Sequence, residues 1–275
     1  MIQKTFGIYG DENSLCKLLI EIGTQHVACW LKDTENNKII AFEFFQYDIK
    51  NYEGFNEAVK QIKLNSKLLN GAYTSSQIIW EHEECLIVPL KFYDVDLEEN
   101  YLTTIFGDNT NCIYSRQLMD ENVLVYRNAA LWNETINNNF TEATLTHKYY
   151  FIVTNWLRNK ENYSENFIRL LFYNQHFILF AVKEKQLQLI NSFQYQTPAD
   201  ALYHSLNTCG RLQMDKHETL FLLSGLIDLQ SKLYKELNQY LPHLKLSELA
   251  AETLSAQAFK EQPLHYFSSF FTVEE

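Results

Sequence analysis

The chain has 275 residues, of which 46% are hydrophobic and 21% are charged, proportions typical of a globular protein long enough for two domains. Its formal net charge of −11 argues against binding to nucleic-acid phosphates or to an anionic membrane surface. The sequence contains no basic stretch before an early apolar run and no apolar segment long enough to span a bilayer. We therefore expect a cytoplasmic protein with no membrane insertion.

The first third of the chain predicts three antiparallel strands followed by a helix and further strands. Residues 1–14 read as a polar lead-in with one apolar patch, Phe6–Tyr9. Short polar turns separate apolar runs, and apolar residues then recur at helical spacing. In chain order we predict strands at Leu15–Ile22, His26–Leu31 and Lys38–Gln46, a helix at Tyr52–Leu69, strands at Ser76–Glu81 and Cys85–Val88, a helix at Asp94–Phe106, and strands at Cys112–Leu118 and Val123–Arg127.

The middle of the chain, Asn128–Tyr163, has the weakest pattern, and we place the domain junction there. Asn137-Asn138-Asn139 indicates a loop, and Leu145–Arg158 has the spacing of a helix with one apolar side. The predicted domains are residues 1–140 and 141–275.

The second half repeats the pattern of the first. Thr197-Pro198-Ala199-Asp200 has the residue types of a helix start, with Thr197 as the cap and Pro198 at the first helical position. A leucine stripe from Leu229 to Leu241 predicts a second helix. The remaining predictions are strands at Glu165–Tyr173, His176–Val182, Gln186–Tyr195, Thr219–Leu223 and Leu244–Leu246, and a helix at Ser247–Lys260.

Two matching stretches indicate that the halves are copies of one unit. LLIEIGTQHVACWL in the first half aligns with IRLLFYNQHFILFAV in the second, so that Gln25-His26 falls on Gln175-His176. The later stretch Phe44–Tyr47 falls on Ser192–Tyr195, about two positions closer because the intervening turn is shorter. Each half then reads strand, strand, strand, helix, strand, helix.

This layout is that of the ribonuclease-H-like fold, and two such units in tandem resemble the actin-like superfamily of heat-shock chaperones, sugar kinases and the pilus-assembly protein PilM. The stretch Asn191–Pro198, with Asp200, Leu202-Tyr203 and Ser224-Gly225, resembles a Bacteroidetes domain-of-unknown-function family, DUF3822. The resemblance implies a mixed α/β protein in which two duplicated ribonuclease-H-like units form an actin-like ATPase fold. It also implies a nucleotide site between the halves, but carries over no activity.

The superfamily binds phosphate with an Asp-x-Gly-Thr/Ser turn, whose acid holds a magnesium-bound water. The matching residues are Glu21-Ile22-Gly23-Thr24, where Glu carries its carboxylate one methylene farther. In the second half the matching turn, Tyr173-Asn174-Gln175, has neither acid nor glycine, and only Ser224-Gly225 remains of the adenosine-side glycine pair. A structural hairpin explains Gly23 equally well. We therefore predict a degenerate site with no catalytic residue.

Other candidate sites are weaker. His82-Glu83-Glu84-Cys85 has metal-ligand residue types, but neighbouring side chains of an extended strand point to opposite faces, so a solvated bend explains it. His26 and His176 are matched by the duplication and read as structural residues. Five scattered cysteines fit buried free thiols in a reducing compartment: Cys16, Cys29, Cys85, Cys112 and Cys209.

Three hypotheses for function remain open. The first is a non-catalytic scaffold or pseudo-ATPase that contacts an unknown protein partner and uses no cofactor. The second is an ATP-binding protein or weak ATPase, in which Glu21, Gly23, Thr24, Ser224 and Gly225 hold ATP and magnesium in the cleft between the halves. The third is a homodimer built on an exposed sheet edge.

Overall fold

The computed structural model describes residues 2–10, 15–48, 52–108, 111–118, 122–255, 259 and 261–271. The chain divides into two compact units. The first comprises Met1–Thr154 and Glu252–Glu261, and the second Asn155–Ala251 and Gln262–Glu275. Residues 141–154 belong to the first compact unit, although the predicted limits, 1–140 and 141–275, would assign them to the second domain. The domain limits themselves stay a prediction.

The main sheet of the first unit has six strands in the order β1-β4-β3-β2-β5-β9. Their bounds are β1 Ile2–Ile8, β2 Cys16–Gly23, β3 His26–Asp33, β4 Ile39–Tyr47, β5 Ser75–Glu81 and β9 Thr144–His147. The strands β2, β3 and β4 pair antiparallel, whereas β5 and β9 continue the sheet in parallel. The predicted strands are therefore present, but β1 replaces the predicted polar lead-in, which was wrong. The alternation of Ile2, Phe6 and Ile8 was the available signal for it.

Helix α1, Tyr52–Asn65, packs its apolar stripe on this sheet, burying Phe55, Ala58, Val59 and Ile62. The predicted end at Leu69 was four residues too late. The Ser66 N–H still makes the helical bond to the carbonyl of Ile62, but the next N–H, that of Lys67, donates to the buried carboxylate of Glu43 at 3.0 Å, and the Ser66 hydroxyl donates to the same carboxylate. A long-range contact, invisible to local spacing, thus sets the end of the helix.

A small three-stranded sheet follows, in the order β6-β8-β7. Its elements are β6 Cys85–Pro89, α2 Glu98–Phe106, β7 Asn111–Gln117 and β8 Asn122–Ala129. Helix α2 covers one face through Leu102, which packs with Val123 and Val125. The chain then returns through α3 Ala130–Asn139 and β9 to α4 Lys148–Arg158, so the predicted helix at Leu145–Arg158 begins as a strand.

The second unit contains a five-stranded sheet in the order β12-β11-β10-β13-β14. Its elements are β10 Phe167–Phe172, β11 His176–Lys183, β12 Gln186–Gln194, α5 Pro198–Arg211, β13 Leu220–Gly225, α6 Lys232–Tyr240 and β14 Leu244–Leu246. Helix α5 begins as predicted, with Thr197 accepting from the Asp200 N–H and the Asp200 carboxylate accepting from the Thr197 N–H. The predicted helix at Ser247–Lys260 was wrong where the chain is described, since Ala251–Thr253 is one 3-10 turn and Leu254 bridges to Ile39.

The duplication predicted from sequence is confirmed by pairing and by individual hydrogen bonds. Five strands of each unit share one order and one set of directions. The Tyr47 N–H donates to the carbonyl of Gln25 at 3.0 Å, and the Tyr195 N–H donates to Gln175 at 3.0 Å. The two tyrosine hydroxyls also match, donating to the carbonyls of Gly23 and Tyr173.

Candidate functional site

Glu21, the acid of the predicted phosphate turn, lies at the end of β2 with no exposed surface. The ammonium of Lys148, the first residue of α4, lies 2.6 Å from Oε2 of Glu21. His26, the first residue of β3, donates from Nε2 to Oε1 at 3.0 Å. Both carboxylate oxygens are therefore bonded to basic side chains that are themselves buried.

The electrostatics of this buried triad keep Glu21 ionised. Burial raises the pKa of Glu21, but the positive charge of Lys148 and the hydrogen bond from His26 outweigh it and hold the pKa below its ordinary value. Because neither Glu21 nor Lys148 has exposed surface, each is the charge partner that makes burial of the other tolerable. The acid consequently serves as one half of an internal ion pair.

Gly23 is required by the close packing of two side chains. A Cβ there would overlap the imidazole of His26 and lie 2.8 Å from Oε2 of Glu81. The backbone of Gly23 is not left-handed, so the requirement is one of space and not of conformation. Burial raises the pKa of the Tyr47 hydroxyl, and the nearby Glu81 carboxylate raises it further, so the bond from Tyr47 to the Gly23 carbonyl persists at neutral pH.

Thr24 is half-exposed and borders a pocket of about 190 Å³ within the first unit. The pocket lies between the ends of the main and small sheets and is lined by Thr24, His82, Glu83, Glu84, Arg127, Asn128, Ala129 and Trp132. Trp132 stacks on Phe55 of α1 at 4.3 Å between ring centroids. The last residue of the predicted phosphate turn, Thr24, thus lies at the rim of this pocket.

The bend His82-Glu83-Glu84 joins the two sheets of the first unit, so the prediction of a simple solvated bend was wrong for two of its residues. With the Asn128 amide oriented to satisfy both of its ends, its nitrogen donates to Nε2 of His82 at 2.5 Å and its oxygen accepts from the indole of Trp80. Glu84 pairs with Arg127 at 2.7 Å. Only Glu83 is exposed. Within the described residues, no group of three side chains is arranged to hold a metal ion.

Sequence reasoning missed Lys148 and His147, which link the end of β9 to this region. Nδ1 of His147 accepts from the Tyr149 N–H at 3.1 Å, and Nε2 donates to the carbonyl of His82 at 3.1 Å. Burial lowers the pKa of His147 well below its ordinary value, and His82 lowers it further. No local signal could have found Lys148, because its partner Glu21 lies 127 positions earlier in the chain.

The matching turn of the second unit has different chemistry. Leu171 occupies the position of Glu21 in the duplication, and Tyr173, which takes the place of Gly23, stacks its buried ring on His176 at 4.7 Å. The second unit thus has an aromatic contact at the position where the first unit has a glycine packed against His26 and Glu81.

Ser224 and Gly225 end β13 in the second unit. Gly225 has a φ of +93°, and a Cβ there would overlap the carbonyl oxygen of Phe172, which accepts from the Leu226 N–H at 2.8 Å. The Ser224 hydroxyl is buried and has no hydrogen-bond partner among the described residues. The structure therefore groups Glu21, Gly23 and Thr24 at one turn of the first unit, and Ser224 and Gly225 at one strand end of the second.

The sequence matches the model of a family described as a protein of unknown function, DUF3822, over residues 8–244. The chain belongs to the DUF3822 family. No curated protein matches its sequence. No helix within the described residues combines the length and the apolar character needed to cross a membrane.

Two solved structures resemble this DUF3822 chain along nearly their whole length. A Bacteroides thetaiotaomicron protein with an actin-like ATPase fold and unknown function superimposes with a TM-score of 0.77 at 13% identity, covering 96% of this chain and 98% of its own. The PilM–PilN type IV pilus biogenesis complex gives 0.57 at 12% identity, covering 93% of this chain and 95% of the matched chain. The predicted actin-like ATPase fold is thereby confirmed.

Proposed function

We propose that this DUF3822 protein is a non-catalytic member of the actin-like fold, a pseudo-ATPase that acts through protein–protein contacts. The observation that carries the proposal is the burial of Glu21 between Lys148 and His26. Magnesium needs oxygen ligands that can face it or its bound waters. A carboxylate already neutralised by an ammonium at 2.6 Å has little attraction left for a divalent cation.

The segment that follows β6, together with helix α2, supplies a surface suited to a partner. Five large apolar side chains are exposed along one segment and the helix after it: Leu90, Phe92, Val95, Leu97 and Ile105. We call these residues the apolar segment. Exposed acids alternate with them at Asp94, Asp96 and Glu99. Clustered apolar side chains on a surface mark interaction sites, and the acids favour a partner segment that is both basic and amphipathic.

The PilM neighbour supports this proposal to the extent that it was solved as a complex with another protein, PilN. The contacts proposed for the DUF3822 chain rest on its own apolar segment.

Replacing Phe92, which is 66% exposed, by Asp should abolish recovery of a partner from native lysate without unfolding the chain. The matched control is Tyr240→Asp, at an exposed aromatic on α6. Equal recovery with both variants, or no recovery with wild type, would contradict the partner proposal.

Nucleotide binding is tested separately. A nucleotide present at 100 times its Kd would stabilise the fold by about 2.7 kcal/mol and so raise Tm. The pseudo-ATPase proposal includes no such binding, so it expects no rise in Tm at millimolar nucleotide and no phosphate release from Mg·ATP. A saturable rise in Tm together with steady phosphate release would overturn it.

The second candidate function is ATP binding without hydrolysis, and the observation that favours it is the open pocket beside Thr24. In that case Thr24, at the rim of the pocket, would contact the nucleotide. Glu21, Gly23, Ser224 and Gly225 would contribute to binding ATP and magnesium only as the superfamily resemblance implies. The distinguishing result is a saturable rise in Tm with no phosphate release, lost in Thr24→Val. A control at an exposed threonine elsewhere in the first unit, Thr141→Val, should leave the rise unchanged.

A further inference from the structure

The edge strand β12 differs from every other sheet edge in the described part of the chain. The other edges each carry a feature that discourages pairing with a second strand. β1 has Lys4, β9 has four residues, β14 has three residues with Lys245, β6 ends in Pro89, and β7 contains Arg116. β12 is nine residues long, QLQLINSFQ, with no charge, proline or glycine.

The backbone of β12 is regular over most of its length. One register shift lies near its start, opposite Ala181 and Val182. Beyond it, Leu189–Gln194 pairs residue by residue with His176–Ala181 of β11. Within the described residues β11 is the sole neighbour of β12, so the other side of the strand presents the peptide groups of alternate residues for pairing. One of them, the Ser192 N–H, donates to the side-chain oxygen of Asn191 at 3.0 Å and would exchange that local contact for the incoming strand. Six consecutive regular residues are enough to form a hydrogen-bonded ladder.

We propose that two copies of this chain associate through antiparallel pairing of their β12 edges, which would join the two five-stranded sheets into one. The charge of the chain favours a second copy of the same protein as the partner of the β12 edge. Each copy carries a net charge of −11, so self-association is least opposed where the surface is uncharged. β12 is such a surface, and a two-fold axis satisfies both edges with one contact.

The side chains of β12 are also self-complementary. Gln188 and Gln194 are exposed, and a primary amide carries both a donor and an acceptor, so it can pair with an identical group. On the helix-covered face, Phe193 stacks on His204 at 4.5 Å, and His204 contacts the ring of Tyr203, which is 63% exposed. This aromatic row adds apolar area beside the edge. The proposal is independent of the proposed pseudo-ATPase, because it involves neither Glu21 nor the pocket at Thr24.

The test is the oligomeric state of the full chain, measured by sedimentation velocity from about 1 to 100 µM, a range that reports micromolar dissociation constants. Wild type should sediment as a dimer at the upper end. Gln188→Glu/Gln194→Glu is nearly isosteric and places two negative charges on each edge. Like charges opposite one another should weaken dimerisation by about tenfold, and roughly 1 M salt should restore most of the loss.

The matched control is Gln230→Glu/Gln239→Glu, which makes the same charge change at exposed positions of the same unit away from β12. It should dimerise as wild type does. Hydrogen exchange provides the second readout: amides of residues 186–194 should become more protected as the wild-type concentration rises. A monomeric wild type at about 100 µM, or equal weakening by the two double variants, would overturn the proposal; the first result would leave the edge for a strand of another protein.

Discussion

His147 is a buried imidazole whose two nitrogens are both used, one as acceptor and one as donor. Protonation would turn the acceptor into a donor facing the Tyr149 N–H and would place a charge beside His82. Burial, and then the neighbouring His82, lower the pKa of His147 well below the ordinary 6.5. The neutral form of His147 is therefore the one that fits the fold.

We therefore expect acid to destabilise the protein partly through His147. The folded-state pKa is depressed, so the unfolded chain takes up the proton first, and the stability that His147 contributes is present above pH 6.5 and is lost as the pH falls below it. The loss should be roughly 1.4 kcal/mol of unfolding free energy per pH unit. Urea titrations of His147→Gln between pH 7 and 5 should show a shallower slope than wild type, whereas exposed His217→Gln should not. Identical slopes would show that His147 takes up its proton equally in both states.

The residues of the candidate site were predictable from the sequence only in part. Glu21, Gly23 and Thr24 were recognisable because a turn after a strand has a local pattern. Their surroundings were not, because the partners of Glu21 come from β3 and from α4. The role of Gly23 likewise depends on side chains that a turn pattern does not show, since the space beside it is filled by His26 and Glu81. Local spacing finds a turn but not the side chains that another segment brings to it.

At the scale of elements, predictions succeeded where the chain carries its own stop and start signals. Helix α5 begins at Pro198 because Thr197 and Asp200 form a capping box entirely from local residues. The end of α1 depends on Glu43, and β9 exists because Thr144–His147 pairs with β5. Each of those needs a partner distant in sequence, so tertiary contacts override the local preference.

The capping box gives a prediction at this scale. Thr197→Ala removes the side-chain acceptor for the Asp200 N–H, so helix α5 should lose about 1 kcal/mol of stability. The change is measurable as a lower midpoint in urea with an unchanged m-value. Thr197→Ser, which keeps the hydroxyl, should retain most of the stability, and Thr141→Ala at an exposed turn should cost little. An equal loss from Ser and Ala at position 197 would mean that the methyl group and not the cap is responsible.

One structural unit occurs twice in this chain, with the same hydrogen bonds at its hairpin but different buried side chains. Tyr47 and Tyr195 bind equivalent carbonyls, whereas Glu21 in the first copy corresponds to Leu171 in the second. A sheet of this design is therefore compatible with an apolar residue at the position of the acid. The sheet can therefore form without the ion pair between Glu21 and Lys148. Removing only one partner of that pair, however, leaves a buried charge without compensation.

This contrast predicts a large non-additivity between Glu21 and Lys148. Lys148→Met leaves a buried carboxylate without its cation and should cost about 3–5 kcal/mol, and Glu21→Leu should cost a similar amount by stranding the ammonium. The double variant places in the first unit the leucine that the second already has, and we expect it to recover most of that loss, less the hydrogen bond from His26. Unfolding free energies of the four proteins in urea measure the coupling directly. If the two single losses simply add in the double variant, Glu21 and Lys148 do not act as a pair, and the basis for regarding the acid as structural is removed.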